Sequence, residues 1–91
     1  MNLYECHITV QREYAAVAAG VAEQQHWKFS QIDGDPVLGK KVFAYLTTHD
    51  KSWTRIFERM QSVSRALAFQ GVPIVREKIE LILYDTKTGV A

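Results

Sequence analysis

Apolar and polar residues follow two different periods along this chain. A period of two, typical of strands that bury one face, occurs in four segments, at residues 3–10, 27–32, 41–48 and 74–84. A period near 3.6, typical of helices, occurs between the first two strands and between the last two. The pattern therefore predicts the element order β-α-β-β-α-β.

The two helical segments differ in composition. Residues 12–25 are rich in alanine, which favours a helix. Their apolar face carries Tyr14, Val17, Ala18 and Val21. The second helix can be capped by Asp50 or Ser52, and Gly71 and Pro73 end it. Its predicted core stripe consists of Trp53, Ile56, Phe57, Met60, Val63 and Leu67.

Two segments lack an apolar period. Residues 33–40, DGDPVLGK, concentrate Gly, Pro and Asp, and they predict a loop or a wide hairpin. Residues 85–91, DTKTGVA, predict a polar, fraying tail. The length of 91 residues predicts one domain, 1–91.

This element order predicts an α+β fold of ferredoxin-like arrangement. In that arrangement a four-stranded antiparallel sheet carries both helices on one face. The first strand lies centrally, between the third and the fourth. Right-handed crossovers place the helices on the same side.

Alternation of side chains along a strand assigns the two faces of the sheet. The helix side is predicted to carry Tyr4, Cys6, Ile8, Val10, Val42, Ala44, Leu46, Val75, Ile79, Leu81 and Leu83, with Glu77 as a charged exception. The open face is predicted to display Glu5, His7, Thr9, Phe43, Tyr45, Thr47, His49, Arg76, Lys78 and Glu80. Because aromatic side chains stand among polar ones there, we expect this face to be an interaction site.

Charge and composition narrow the possible partners. The chain has 11 Lys and Arg against 10 Asp and Glu, so its net charge of +1 favours neither nucleic acid nor an anionic membrane. One cysteine excludes a disulfide within the chain. No leader sequence and no apolar run of ~20 residues is seen, which predicts a cytoplasmic protein without membrane contact.

No cofactor and no metal site is predicted. The chain has three histidines, and they lack a nearby cluster of Cys, Asp or Glu at ligand spacing. His7 with Glu5 and His49 could hold zinc, but a histidine on a sheet is more often simply hydrogen-bonded.

The tripeptide His7-Ile8-Thr9 resembles the His-x-Thr motif of the 2H phosphoesterases. In that family two such motifs surround a scissile phosphate, where imidazoles transfer protons and hydroxyls hold phosphate oxygens. This chain has one copy, and Thr47 and His49 repeat its residue types in reversed order. Hydrolysis of a phosphoester is therefore one alternative function.

The segment KVFAYLTT, residues 41–48, resembles the third strand of RNA-recognition modules. Phe43 and Tyr45 take the positions of the rings that stack on bases. Val42 stands where those modules have Gly, and Thr48 where they have an aromatic residue. RNA binding is a further alternative that the near-neutral charge disfavours.

The chain as a whole resembles a family of small, uncharacterised bacterial proteins. The resemblance lies in YECHITV, HWKFSQIDGDP, YLTTH and REKIELILYDTK, which are spread over nearly all of the chain. It implies a compact domain of ferredoxin-like topology and supplies no catalytic residue.

The sequence thus leads to two main hypotheses about the open face. In the first it binds a small anionic ligand through Arg76 and Lys78 and through hydrogen bonds from His7, Thr9, Tyr45, Thr47 and His49. In the second the chain is a structural or protein-interaction module, and a second copy seals the same face in a homodimer.

Overall fold

A computed structural model describes residues 2–32 and 43–82. Its strands and helices are β1 (Leu3–Gln11), α1 (Ala15–Gln25), β2 (Lys28–Ile32), β3 (Phe43–Asp50), α2 (Trp53–Phe69) and β4 (Ile74–Ile82). A 3-10 turn at Arg12–Tyr14 precedes α1, where the sequence pattern predicted the helix itself. The predicted loop 33–40 and tail 85–91 lie outside the described residues.

The four strands form one antiparallel sheet in the order β2-β3-β1-β4. The structure therefore confirms an α+β fold with a four-stranded antiparallel sheet and two helices, and it confirms the central position of β1. One continuous apolar core joins the sheet to both helices. It contains Cys6, Ile8, Val10, Ala18, Val21, Ala22, Trp27, Ala44, Leu46, Ile56, Val63, Leu67 and Val72.

The predicted face assignment holds for β1 and for the described part of β3. Cys6 and Ile8 of β1 and Leu46 of β3 are fully buried beneath the helices. Burial raises the pKa of the Cys6 thiol to about 12, so the sulfur stays protonated at neutral pH. Cys6 is a core residue rather than a nucleophile.

Two residues of the predicted stripe on α2 are exposed, which corrects the sequence prediction. Trp53 keeps 52% of its surface accessible and Phe57 keeps 39%. Both lie on the side of α2 that faces β4. Because β4 is the last strand of the sheet, no element formed by residues 2–32 and 43–82 covers that side of the helix.

The prediction that Val75 faces the helices at the start of β4 is also wrong. Thr9 pairs with Arg76, but the next residue, Val10, pairs with Ile74, so Val75 is an extra residue in the strand. Ile74 therefore packs on the core, while Val75 is 40% exposed. A bulge of this kind cannot be seen in a simple alternation of residues.

Two further apolar positions differ from their predicted burial. Leu81 lies opposite Tyr4 on the helix side, but it is 45% exposed because β4 is an edge strand. Val17 is 39% exposed, and Ala22 takes a place in the core instead. The predicted core residues Val42 and Leu83 lie outside the described residues.

The end of α1 is closed by a residue in the left-handed conformation, His26, with φ 63°. The N–H of Trp27 donates to the carbonyl of Ala22 at 2.8 Å, and the N–H of His26 donates to that of Glu23 at 3.3 Å. This pair of bonds is the Schellman motif, which usually has glycine at the left-handed position.

The end of α2 repeats the motif with the expected residue. The N–H of Val72 donates to the carbonyl of Leu67 at 2.9 Å, and that of Gly71 donates to Ala68 at 3.0 Å. Gly71 has φ 76°, which confirms its predicted left-handed position. Trp27 and Val72, the residues after each left-handed position, are buried, so each motif also anchors its helix to the core.

Substitutions at Gly71 and His26, the two left-handed positions, should change the free energy of unfolding in opposite directions. We expect Gly71→Ala to lower the free energy of unfolding by about 1 kcal/mol, because an L-residue is strained at positive φ. His26→Gly should raise it by about 0.5–1 kcal/mol by removing the same strain. Urea denaturation at equilibrium measures both.

A matched control is Gly20→Ala within α1. An added Cβ meets no atom within 4 Å at Gly20 or at Gly71, so crowding affects neither variant. Helix propensity should make Gly20→Ala stabilising by about 0.5–1 kcal/mol. Equal effects of the same substitution at Gly20 and Gly71 would contradict the assignment of strain to φ.

Candidate functional site

The end of β3 is held by the first turn of α2. Ser52 caps the helix by accepting a hydrogen bond from the N–H of Arg55 at 3.2 Å. The Asp50 carboxylate accepts from Nε of Arg55 at 2.9 Å and from the N–H of Ser52 at 3.0 Å. Hydrogen bonds from Arg55 and from the Ser52 backbone lower the pKa of Asp50 to about 2.

Arg59 of α2 adds a second connection to the same strand end. Its Nη2 donates to Oγ1 of Thr48 at 2.7 Å, and its Nη1 donates to the carbonyl of His49 at 3.1 Å. The guanidinium lies 6.0 Å from the ring centre of Trp27. These contacts lie on the helix side and fix the backbone that carries His49 on the open face.

A hydrogen-bonded network of four side chains occupies the open face across β1 and β3. The Glu5 carboxylate binds Nε2 of His7 through one oxygen and Nε2 of His49 through the other, the latter at 2.6 Å. Nδ1 of His7 is 3.0 Å from Oγ1 of Thr47. The register explains the network, since Glu5 pairs with His49 and His7 pairs with Thr47.

This network is partly open to solvent. The side chains of Glu5, His7 and His49 are 26%, 31% and 47% exposed. Burial raises the pKa of the Glu5 carboxyl, but hydrogen bonds and charges from His7 and His49 outweigh it and leave the pKa below its usual value. Glu5 is therefore a carboxylate at neutral pH and orients both imidazoles.

His7 and Thr47 belong to a row of polar residues that crosses all four strands. Lys28 of β2 pairs with Thr47, Thr47 pairs with His7, and His7 pairs with Lys78 of β4. Directly paired residues of an antiparallel sheet point to the same face. The row thus has a lysine at each end and two hydrogen-bonding side chains between them.

The next row contains the other predicted ligand residues. Ser30, Tyr45, Thr9 and Arg76 follow one another across the sheet. Arg76 is exposed and Tyr45 is half-buried, whereas Thr9 is only 3% exposed. The structure therefore brings all seven predicted site residues onto one face but leaves Thr9 almost inaccessible.

Glu5, His7 and Glu80 form a group that could hold a metal ion. One ligand atom from each lies within 4.8 Å of the others. Each atom already has a partner, since Glu5 binds both imidazoles and Glu80 pairs with Lys78 at 2.5 Å. A cation would have to displace the Lys78 ammonium from Glu80, which disfavours metal binding at this group.

Phe43, which was predicted to be displayed on the open face and covered there by a partner, is only 6% exposed within the single chain. In this conformation its ring offers no surface on which a base could stack, so the RNA-binding alternative loses one of its two aromatic platforms. For the same reason Phe43 contributes little exposed apolar surface to a dimer that would form through the open face.

Lys28 lies on the open face but was not among the predicted site residues. The sequence did contain a signal for it, namely the alternation of Trp27, Lys28 and Phe29: both aromatic residues pack on the core, which directs Lys28 to the other face. The bridging role of Glu5 has no sequence signal. It depends on the register that places Glu5 opposite His49.

A scan against protein-family models finds no matching family, and a search of curated proteins finds no matching relative. Among residues 2–32 and 43–82, no helix has both the length and the apolar character that a membrane span requires.

Proposed function

We propose that the chain is a ferredoxin-like domain whose open sheet face binds a small anionic ligand such as a phosphate-bearing molecule. The observation that supports this most directly is the row Lys28, Thr47, His7 and Lys78. Both ring nitrogens of His7 are engaged, by Glu5 and by Thr47, so the imidazole acts through Thr47. When Nδ1 of His7 donates to Oγ1 of Thr47, the hydroxyl proton of Thr47 is free to bind an anion oxygen, and the two lysines supply positive charge.

The dimensions of the row suit a small anion. Strands are spaced about 4.8 Å apart, so Lys28 and Lys78 on the two outer strands start about 14 Å from each other. Their flexible stems can reach an anion that lies over Thr47 and His7. Arg76 adds a further positive charge from the adjacent row.

Two of these cations have no carboxylate partner among residues 2–32 and 43–82. Neither Lys28 nor Arg76 forms an ion pair there, whereas Lys78 pairs with Glu80. A ligand therefore meets little competition for Lys28 and Arg76. We expect these two residues to contribute most of the charge-dependent affinity.

The arrangement of His7 and His49 supports binding of a phosphate group rather than its hydrolysis. In a phosphoester hydrolase one imidazole must accept a proton and another must donate one. Nε2 of His7 and Nε2 of His49 both bind the carboxylate of Glu5, so neither of these nitrogens is free to accept a proton from a substrate or to donate one to it.

The test is calorimetric titration with inorganic phosphate, sulfate and adenosine monophosphate at low salt. Arg76→Ala and Lys28→Ala should each weaken binding of at least one probe by about fivefold or more, because fivefold corresponds to about 1 kcal/mol, the contribution expected from a solvent-exposed ionic contact. Binding should also weaken with added salt, because the charges are exposed.

Arg65→Ala is the matched control, since Arg65 is exposed on α2 on the other side of the molecule. It should leave the affinity unchanged. An equal loss of affinity in the Arg65 and Arg76 variants would show that the probe responds only to the net charge of the protein, and it would contradict a site on the open face. Absence of heat for all three probes at millimolar concentration would refute the proposal.

A further inference from the structure

β4 forms an edge of the sheet. Among the described residues it pairs with β1 alone, so its outer backbone N–H and C=O groups are open to another strand. The strand is nine residues long, from Ile74 to Ile82, which is long for an uncovered edge. Only the bulge at Val75 interrupts it.

A cluster of exposed apolar side chains lies beside this edge. The rings of Tyr4 and Trp53 meet edge to face at 5.8 Å, and those of Trp53 and Phe57 stack at 6.1 Å. Leu81, opposite Tyr4, is 45% exposed, and Trp53 is 52% exposed. Contiguous apolar surface of this kind marks an interaction site.

The helix geometry places this cluster on the same side as the strand edge. Ser64 follows Phe57 by seven residues, so the two lie on one stripe of α2. The Ser64 hydroxyl donates to Glu77 of β4 at 3.0 Å, which shows that this stripe faces β4. The open edge and the aromatic cluster therefore form one continuous surface.

We propose that this surface binds a second copy of the chain, with the two β4 strands pairing antiparallel about a twofold axis at Ile79. Lys78 of one copy then lies opposite Glu80 of the other, and Glu80 lies opposite Lys78. The sheet becomes continuous across the two copies, and the aromatic clusters border the seam on the helix side.

Charge selects this register among the neighbouring ones. A twofold axis at Lys78 places the two Lys78 side chains opposite each other, and an axis at Glu80 does the same with the two Glu80 side chains. An axis at Glu77 places the two Glu77 side chains opposite each other and also places Arg76 opposite Lys78, so all three axes bring like charges together. Only the axis at Ile79 gives two opposite-charge pairs and no like-charge pair. This self-complementarity favours a second copy over an unrelated strand.

Charge reversal with mixing tests the proposal. Lys78→Glu alone sets acid against acid across the seam, and Glu80→Lys alone sets base against base. Each variant should dimerise at least about tenfold more weakly than the wild type, because like charges directly opposite repel. An equimolar mixture should restore the dimer, since each copy then complements the other.

The measurement is sedimentation equilibrium, with twice the 10.4 kDa chain mass expected for the wild type and for the mixture. Thermal unfolding of each single variant checks that it is folded. Arg76→Glu is the matched control on the same strand and face. In the proposed register Arg76 lies opposite Ile82, so its reversal should change dimerisation by less than about threefold.

The double variant Trp53→Ala with Phe57→Ala separates this dimer from one sealed through the open face. It should weaken an edge dimer and leave an open-face dimer intact, because both rings lie on the helix side. A wild-type mass of 10.4 kDa at all concentrations, an unrestored mixture, or an unaffected aromatic variant would each overturn the proposal.

Discussion

Replacement of Ile56 by alanine is expected to lower the free energy of unfolding by about 2–5 kcal/mol, through lost burial and the cavity left behind. Ile56 is fully buried on α2 within the core that joins the helices to the sheet. A domain of this size has about 5–14 kcal/mol in total, so the variant should be close to unfolding at 37 °C.

Trp53→Ala is the informative comparison on the same helix. Although tryptophan is the larger side chain, Trp53 is half exposed, and we expect a loss of only about 0.5–1.5 kcal/mol. Urea denaturation should be run at low protein concentration, where dimerisation does not add to stability. A larger loss for Trp53→Ala than for Ile56→Ala would mean that α2 presents a different face to the sheet.

Asp50→Asn is expected to destabilise the fold by about 1–2 kcal/mol at neutral pH, which is less than the pKa shift implies because Arg55 is largely exposed and screened. The Asp50 side chain is 9% exposed and pairs with Arg55 at 2.8 Å. An amide keeps the hydrogen bond to Ser52 but loses the charge.

The pH dependence has a definite sign. Because the pKa of Asp50 is lowered from 3.8 to about 2, its contribution is fully present above about pH 4 and is lost as pH falls toward 2. The difference between wild type and Asp50→Asn should therefore shrink over that interval. A difference that stays constant from pH 6 to pH 2 would rule out the ionic contribution. Glu5 acts in the same direction, since its pKa is also lowered.

Local sequence signals account for much of the fold and part of the site. The serine cap at Ser52 and the glycine stop at Gly71 are encoded by residues whose chemistry suits only a few backbone positions. Alternation in β1 separates Cys6 and Ile8 from His7, so the residue types of the open face were predictable. His26 in a glycine position was not predictable, because the Schellman bonds and the burial of Trp27 impose that conformation.

The sequence by itself determined the element order and the polar character of the open face, because each follows from a short-range period of two or 3.6. The central place of β1 followed from that order through the general rules of sheet packing and crossover handedness. Only the tertiary structure decided which groups meet. The register between β1 and β3 makes Glu5 bridge His7 and His49, and the bulge at Val75 shifts the start of β4. Exposure of Trp53 likewise depends on what lies beyond β4, since the same apolar stripe is core where a neighbour covers it and surface where the sheet ends.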